Sequence, residues 1–426
     1  MIEEIYQSYL QHSTICTDTR AITPGCLFFC LKGENFDGNT FALKALEAGA
    51  AAVVTNRADL QGHPGCFVVD DTLLALQNLA HHHRQQFDIP FIGITGTNGK
   101  TTTKELISTV LRTKYRITYT QGNFNNHIGV PLTLLSIPSD TEIAIIEMGA
   151  NHVGEIAGLC KIAEPNYGVI TNIGVAHIEG FGSRENIILT KRAMYEAVTK
   201  CGGTLFVNGG DATLTQCAGD YPKQVRYGNC ADSTCRGEIC DMNPYLAVSV
   251  EGSCFRTHLT GEYNLANILC AIAVGKHFGI SVATAAAALE AYIPGNHRSQ
   301  IETVGSNTVI EDYYNANPTS MGAALDNFAL MKAEHKMVIL GEMRELGADS
   351  LAEHQRIVER LLKSDMECIW LVGDEFARCR VDDSRFRFFH VVEEVMESLQ
   401  ASPLQGCTIL IKGSNSTRLH QLSFIS

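Results

Sequence analysis

A chain of 426 residues exceeds what one hydrophobic core supports, so two or three domains are expected. With 45% hydrophobic and 19% charged residues it has the composition of a soluble globular protein, and a net charge of −13 without a Lys/Arg-rich run argues against nucleic acid as its main partner. The acidic start Met1-Ile2-Glu3-Glu4-Ile5, the lack of an apolar stretch long enough for a bilayer, and 15 cysteines without a Cys-x-x-Cys pair argue against a signal peptide, membrane insertion and a compact zinc site; a cytoplasmic protein with reduced thiols is expected.

Residues 1–87 read as a small α/β unit. Apolar periodicity places strands at 25–31 and 51–55, an Ala-rich helix at 40–49 and a second helix over Thr72–Arg84. Thr17-Asp18-Thr19-Arg20 suits either a capping turn or an anion-binding arginine. The run His81-His82-His83 spreads over several helical faces and reads as an exposed polar turn. Asp88-Ile89-Pro90 breaks the helical pattern and sets the first domain boundary.

From 88 to 295 strands and helices alternate. Strands are expected at Phe91–Thr95, 143–148, 167–173 and 203–207, and helices at 101–113, 154–161, Arg184–Lys200 and 264–278. Apolar strands alternating with helices predict a parallel sheet covered on both faces, with ligands at the carboxyl ends of its strands. The first strand runs into Gly96-Thr97-Asn98-Gly99-Lys100-Thr101-Thr102. The backbone N–H groups of such a turn, and the helix N-terminus after it, suit a phosphate. Lys100 would neutralise the β/γ-phosphates and Thr101 would hold Mg²⁺. Ile94 stands where the G-x-x-x-x-G-K-S/T pattern has its first Gly, so the turn is a variant. Glu147 closes a buried apolar run, which leaves two roles open, a Mg²⁺ ligand or a cap for the next helix. Thr171-Asn172 ends the next strand, His177 just beyond it is either a structural histidine or part of the same strand-end site, and Lys191 on the following helix reads by itself as a solvated lysine. Asn123-Phe124-Asn125-Asn126 either presents amides to a ligand or only connects.

Tyr292-Ile293-Pro294-Gly295-Asn296 is the second break, and from 296 to 426 the alternation restarts. Strands are expected at 308–311, 337–340, 369–372, Phe386–Phe389 and 408–411. No turn there carries Gly-x-Gly-x-x-Gly, so a dinucleotide is not supported. The expected fold is α/β in three domains: a small N-terminal α/β domain, a central P-loop parallel-sheet ATPase domain and a C-terminal Rossmann-like domain.

The order of Gly96-Thr97-Asn98-Gly99-Lys100-Thr101, Asn123-Phe124-Asn125-Asn126, Glu147-Met148-Gly149, His177, Asn264-x-x-Asn267, Asn296-x-Arg298, Asp312-Tyr313-Tyr314-Asn315-Ala316-Asn317-Pro318 and Leu340-Gly341-Glu342-Met343 resembles the ATP-dependent Mur ligases over essentially the whole chain. The family's own turn explains Ile94. Its branch adding the third peptide residue carries Asp-Asn-Pro-Arg, absent here, whereas Tyr314-Asn315-Ala316-Asn317-Pro318 is similar to the dipeptide-adding branch.

The resemblance implies an ATP-dependent amide ligase of peptidoglycan precursor synthesis. It would act as a cytoplasmic monomer on UDP-N-acetylmuramoyl-tripeptide and D-alanyl-D-alanine through an acyl phosphate. Residues 1–87 would bind the UDP-sugar end, with Asp18, Thr19 and Arg20; 88–295 would bind ATP; 296–426 would bind the incoming dipeptide and part of ATP. Gly96, Thr97, Asn98, Gly99, Lys100, Thr101 and Thr102 would cradle the phosphates, while Asn267, Arg298 and Asp312 would meet adenine, phosphate and ribose. Two Mg²⁺ ions are implied, one on Thr101 and Glu147 and the other near His177. Lys191 would be carbamoylated and, with Lys100 and His177, catalytic. Asn125, Asn126, Asn315 and Asn317 would contact substrate. Ala193 departs from the Glu that many relatives carry two residues past this lysine, and Tyr263 and Asn39 each replace a common His. Gly209-Gly210 stand where Ala-Asp is frequent. A reading from another class, an ATPase switch that only hydrolyses nucleotide, leaves the first and third units without a task.

Overall fold

Short apolar runs bounded by Gly, Pro and Asn build three sheets of mainly parallel strands. The computed structural model describes residues 1–295 and 297–424; Asn296, one of the family-motif positions, lies outside the described residues. Near the N-terminus, Leu27–Phe29 and Ala52–Thr55 are buried along their length, as strands covered on both faces must be. They form the centre of a parallel four-stranded sheet flanked by Ile15–Cys16 and Cys66–Val68. The strand expected at 25–31 is shorter because Gly25 turns at φ +84° and Leu31 leaves to receive the N–H of Gly38.

The central sheet is wholly parallel, in the order Gln224–Tyr227, Thr204–Asn208, Tyr167–Ile170, Phe91–Thr95, Ile143–Glu147, Ile117–Tyr119. Its side chains alternate between two cores. Phe91, Ala144 and Ile146 face one with helices Glu155–Ala163 and Arg184–Lys200, and Ile92, Ile94 and Ile145 face the other with helices Lys100–Leu111 and Asn264–His277. The first core runs on without a break into the N-terminal unit through Leu76 and Leu79 of helix Thr72–Arg84 and Tyr6 and Tyr9 of helix Ile2–His12. The strand expected at 167–173 ends at Ile170 because Thr171 and Asn172 turn to hydrogen-bond the phosphate turn.

His81-His82-His83 is not an exposed turn. It closes helix Thr72–Arg84, where His83 is buried with its Nδ1 3.2 Å from the Tyr6 hydroxyl and His81 is paired with Glu164 at 2.9 Å.

The C-terminal sheet runs Gln300–Val304, Asn307–Asp312, Cys407–Lys412, His335–Gly341, Cys368–Val372, Phe386–Phe389, parallel apart from its first strand. Its two faces carry their own cores, around Val338 and Leu371 and around Ile339 and Trp370. The reading of the sequence lacks helix Ile2–His12, edge strand Gln300–Val304 and a three-stranded antiparallel sheet made of Gly237–Asp241, Ala247–Val250 and Ser253–Arg256.

Candidate active site

The phosphate turn leaves the middle of the central sheet, between the ends of Tyr167–Ile170 and Ile143–Glu147. Gly96 lies at φ +150°, and a Cβ there would stand 1.9 Å from Thr171 Oγ1, so no other residue fits. Gly99, at φ +78°, caps helix Lys100–Leu111, whose free N–H groups and positive end face the cleft. The Lys100 ammonium curls over the turn and donates to Gly96 O at 2.9 Å and Thr97 O at 3.1 Å. The residue is half-buried by its surface, yet its enclosed ammonium is pushed below the ordinary lysine range by desolvation, against the pull of Glu147.

Glu147 ends its strand fully buried. Its Oε1 accepts from Thr101 Oγ1 at 3.2 Å and from Asn125 Nδ2 at 2.8 Å. Among the described residues its Oε2 accepts no hydrogen bond, and the Lys104 ammonium stands 3.8 Å away. A buried carboxylate oxygen left open beside a hydroxyl and a phosphate turn is a donor set that fits Mg²⁺, which takes one or two protein oxygens and the phosphates of its nucleotide. Among the described residues no three His, Cys, Asp or Glu side chains converge as a preformed metal cage. His177 stands nearby at φ +53° as the N-cap of a short turn of helix, Ile178–Phe181, with Nδ1 paired to Glu345 of the C-terminal unit. That hydrogen bond holds the Glu345 carboxyl below its usual range.

Lys191 projects from helix Arg184–Lys200 into the base of the turn and is 3% exposed. Its ammonium donates to Gly96 O at 3.0 Å, the carbonyl that also serves Lys100. Burial first, and the Lys100 charge second, bring its pKa from 10.5 down to about 7.

The opposite wall belongs to the C-terminal unit. Asn317 caps helix Pro318–Leu330 through its Oδ1 and donates from Nδ2 to Asn98 Oδ1 at 2.8 Å, bridging the two units. Arg298 stacks 4.1 Å over Tyr314, and Asn315 Oδ1 accepts from the N–H of Ala316. Asp312 is tied to Lys412 at 2.6 Å from the neighbouring strand. On the central side Asn267 Oδ1 accepts from Thr103 Oγ1 at 3.0 Å, close under Gly99, and Asn126 Oδ1 accepts the N–H groups of Ile128 and Gly129.

The phosphate turn from Gly96 to Thr102 lines one cleft of about 1090 Å³ together with Asn125, Asn126, Glu147, His177, Lys191, Asn267, Arg298, Asp312, Tyr314, Asn315, Asn317 and Lys412. Asp18, Thr19 and Arg20 do not. They stand at the carboxyl end of Ile15–Cys16 in the N-terminal sheet, outside that cleft. There Asp18 caps the turn Thr19–Ala21 and pairs with the exposed Arg20 at 2.7 Å, which holds its carboxyl down to about 2.

Beside the site, two buried lysines carry signals that the sequence pattern alone leaves unread. Lys412 closes the apolar strand Cys407–Lys412 just as Glu147 closes its own, so the signal was present. Lys104 falls in the apolar stripe of its helix with Ile107 and Leu111, where a lysine is out of place.

Residues 94–275 match the Mur ligase middle domain, 297–415 the Mur ligase glutamate ligase domain and 12–84 the Mur ligase family catalytic domain. The chain is 35% identical to the UDP-N-acetylmuramoyl-tripeptide–D-alanyl-D-alanine ligase of Bacillus subtilis, with 98% of this chain and 93% of that protein covered. It superposes on the crystal structure of MurF from Acinetobacter baumannii with a TM-score of 0.87 at 28% identity, covering 98% and 97% of the two chains. On MurF ligase from Thermotoga maritima in complex with ADP the TM-score is 0.85 at 26% identity, over 97% and 96%.

Proposed function

The chain belongs to the Mur ligase family, and from its site we propose that it joins D-alanyl-D-alanine to UDP-N-acetylmuramoyl-tripeptide at the expense of ATP, in peptidoglycan precursor synthesis. The observation that carries the reading is the convergence of Lys100, Lys191 and the open oxygen of Glu147 on one phosphate turn, inside a cleft that the C-terminal unit walls with Asn317 and Arg298.

The terminal carboxylate of the tripeptide attacks the γ-phosphorus of ATP, giving an acyl phosphate and ADP. The amine of the dipeptide then attacks the acyl carbon and phosphate leaves. The obstacle in the first step is charge crowding between carboxylate and triphosphate. Lys100 answers it from within the turn, and the free N–H groups of Gly99 through Thr101 hold the phosphate oxygens. Thr101 and Glu147 would hold Mg²⁺, with a second ion near His177; bound there, the metal supplies charge neutralisation on the phosphoryl oxygens. Asn125 and Asn126 sit where the tripeptide carboxylate approaches, Asn267, Arg298 and Asp312 contact ATP, and Asn315 and Asn317 contact substrate from the C-terminal side. Enclosure between the units keeps water from the acyl phosphate.

A pKa of about 7 leaves much of Lys191 as free amine at neutral pH, the form that adds CO₂ to become a carbamate with release of one proton. The resulting anion would stand beside Lys100, with which Lys191 shares the Gly96 carbonyl, and would help to hold the second metal. In this reading residues 1–87 take the UDP-sugar end, with Asp18, Thr19 and Arg20 in its pocket, residues 88–295 take ATP, and residues 296–426 take the dipeptide. One chain completes the cleft, so a monomer acting in the cytoplasm belongs to the same proposal; no described helix is long and apolar enough to cross a membrane.

Phosphate release tests the reading. It should require ATP, UDP-tripeptide and D-alanyl-D-alanine together. Substantial release without either peptide substrate would favour a simple ATPase.

A further inference from the structure

Lys104 has no exposure to solvent, although it lies one helical turn from the phosphate turn. Its ammonium donates to Thr120 O at 2.6 Å and to Gly122 O at 3.5 Å, and it stands 3.2 Å from Glu105 Oε1 and 3.8 Å from Glu147 Oε2. A methionine would fill the same slot beside Ile107 without the cost of desolvating a charge, so the ammonium is held for what it bonds.

What it bonds is the start of the loop that carries Asn125. Strand Ile117–Tyr119 lies at the sheet edge, and the chain leaving it passes through Thr120 and Gly122 into the loop of Asn125. Thr120 Oγ1 accepts the N–H of Glu147 at 3.0 Å. Further along, Asn125 donates to Glu147 Oε1 at 2.8 Å and its carbonyl accepts the N–H of Gly149 at 2.7 Å. One cation thus draws together the helix of the turn, the edge strand and the strand of Glu147.

We propose that Lys104 is a positioning residue for the phosphoryl-transfer step, its buried ammonium fixing the loop of Asn125 and the carboxylate of Glu147 against the phosphate turn. This rests on the ligase reading above. The ammonium acts on the geometry of the reacting groups, while ATP and the UDP-tripeptide keep their other contacts. Removing it therefore affects kcat and spares KM.

The experiment compares Lys104→Met and Lys104→Gln with the wild-type enzyme in ADP formation and in amide hydrogen exchange without substrates. Glutamine keeps a donor for Thr120 in the slot and serves where the methionine variant fails to fold. Expected are a kcat at least about 100-fold lower in both, KM values for ATP and UDP-tripeptide within about threefold, and faster exchange confined to residues 121–127. A kcat within threefold of wild type, a rise in KM at unchanged kcat, or faster exchange across the whole central sheet would each overturn the proposal. Absence of dipeptide-dependent ADP formation in the wild-type enzyme would instead sink the ligase reading, and the exchange data would still report whether Lys104 anchors the loop.

Discussion

Lys191 and Lys100 share one carbonyl oxygen and yet have separable tasks. Lys191 is buried, and burial with the Lys100 charge lowers its pKa to about 7, which favours the free amine that the proposed carbamate needs. Lys191→Ala should lower turnover at least about 100-fold, a loss of roughly 2.7 kcal/mol of transition-state stabilisation. Added short-chain carboxylate should restore part of it by placing an anion in the vacated space. Full activity without rescue would remove the carbamate from the account. The Lys100 ammonium hydrogen-bonds two backbone carbonyls of its own turn, Gly96 O and Thr97 O. Lys100→Ala should abolish turnover while UDP-tripeptide affinity, read by calorimetry, stays within about threefold. Lost affinity would mean that the tripeptide is not held where proposed.

At the scale of elements, the period of the apolar residues decided what could be read. Phe91–Thr95, Arg184–Lys200 and Thr72–Arg84 have the expected bounds because each carries an unbroken apolar pattern ended by a Gly, Asp or Ser. The three-stranded antiparallel sheet was illegible for the opposite reason. It buries only one face, and Glu238, Cys240, Asp241, Cys254 and Arg256 give its outer strands the look of a polar loop. In the site, Glu147 was legible as a charge at the end of an apolar strand, whereas its partnership with Asn125 depends on a loop path set by Lys104, which no spacing encodes. Helix Thr72–Arg84 carries a further consequence through His83. Burial holds this imidazole neutral, below its ordinary 6.5, against the Tyr6 and Tyr9 hydroxyls and the carbonyl of Ile137. The unfolded chain therefore binds the proton first as pH falls below 6.5, and stability drops with acidification by at most about 1.4 kcal/mol per pH unit. Thermal melts between pH 7 and 5 should show a shallower acid slope for His83→Asn than for wild type. Equal slopes would mean that His83 titrates freely in the folded chain.

For the whole molecule, the two junctions between its units differ in kind. The N-terminal and central units share one apolar core. They are also stitched by Tyr9 donating to Leu135 O at 2.5 Å and Arg84 donating to Ala163 O at 2.8 Å. The central and C-terminal units meet through polar contacts. Among these are Asn317 with Asn98, His177 with Glu345, and the hydroxyls of Tyr263 and Ser299 at 2.7 Å. Among the described residues no apolar cluster spans that second junction. A shared core cannot be opened without exposing its area to water, whereas a hydrogen bond exchanged for water is worth only about 0.5–1.5 kcal/mol. The C-terminal unit should therefore move as a body against a rigid pair formed by the other two, and the site between them should tighten when ATP and substrates supply the missing charges. Spectroscopic labels on the exposed Gln61 and Lys200 should keep their separation when a non-hydrolysable ATP analogue and UDP-tripeptide are added. Labels on Lys200 and the exposed Glu397 should change theirs. A constant second distance, together with an unchanged radius of gyration, would rule out domain closure. A changed first distance would place the hinge at the apolar junction instead.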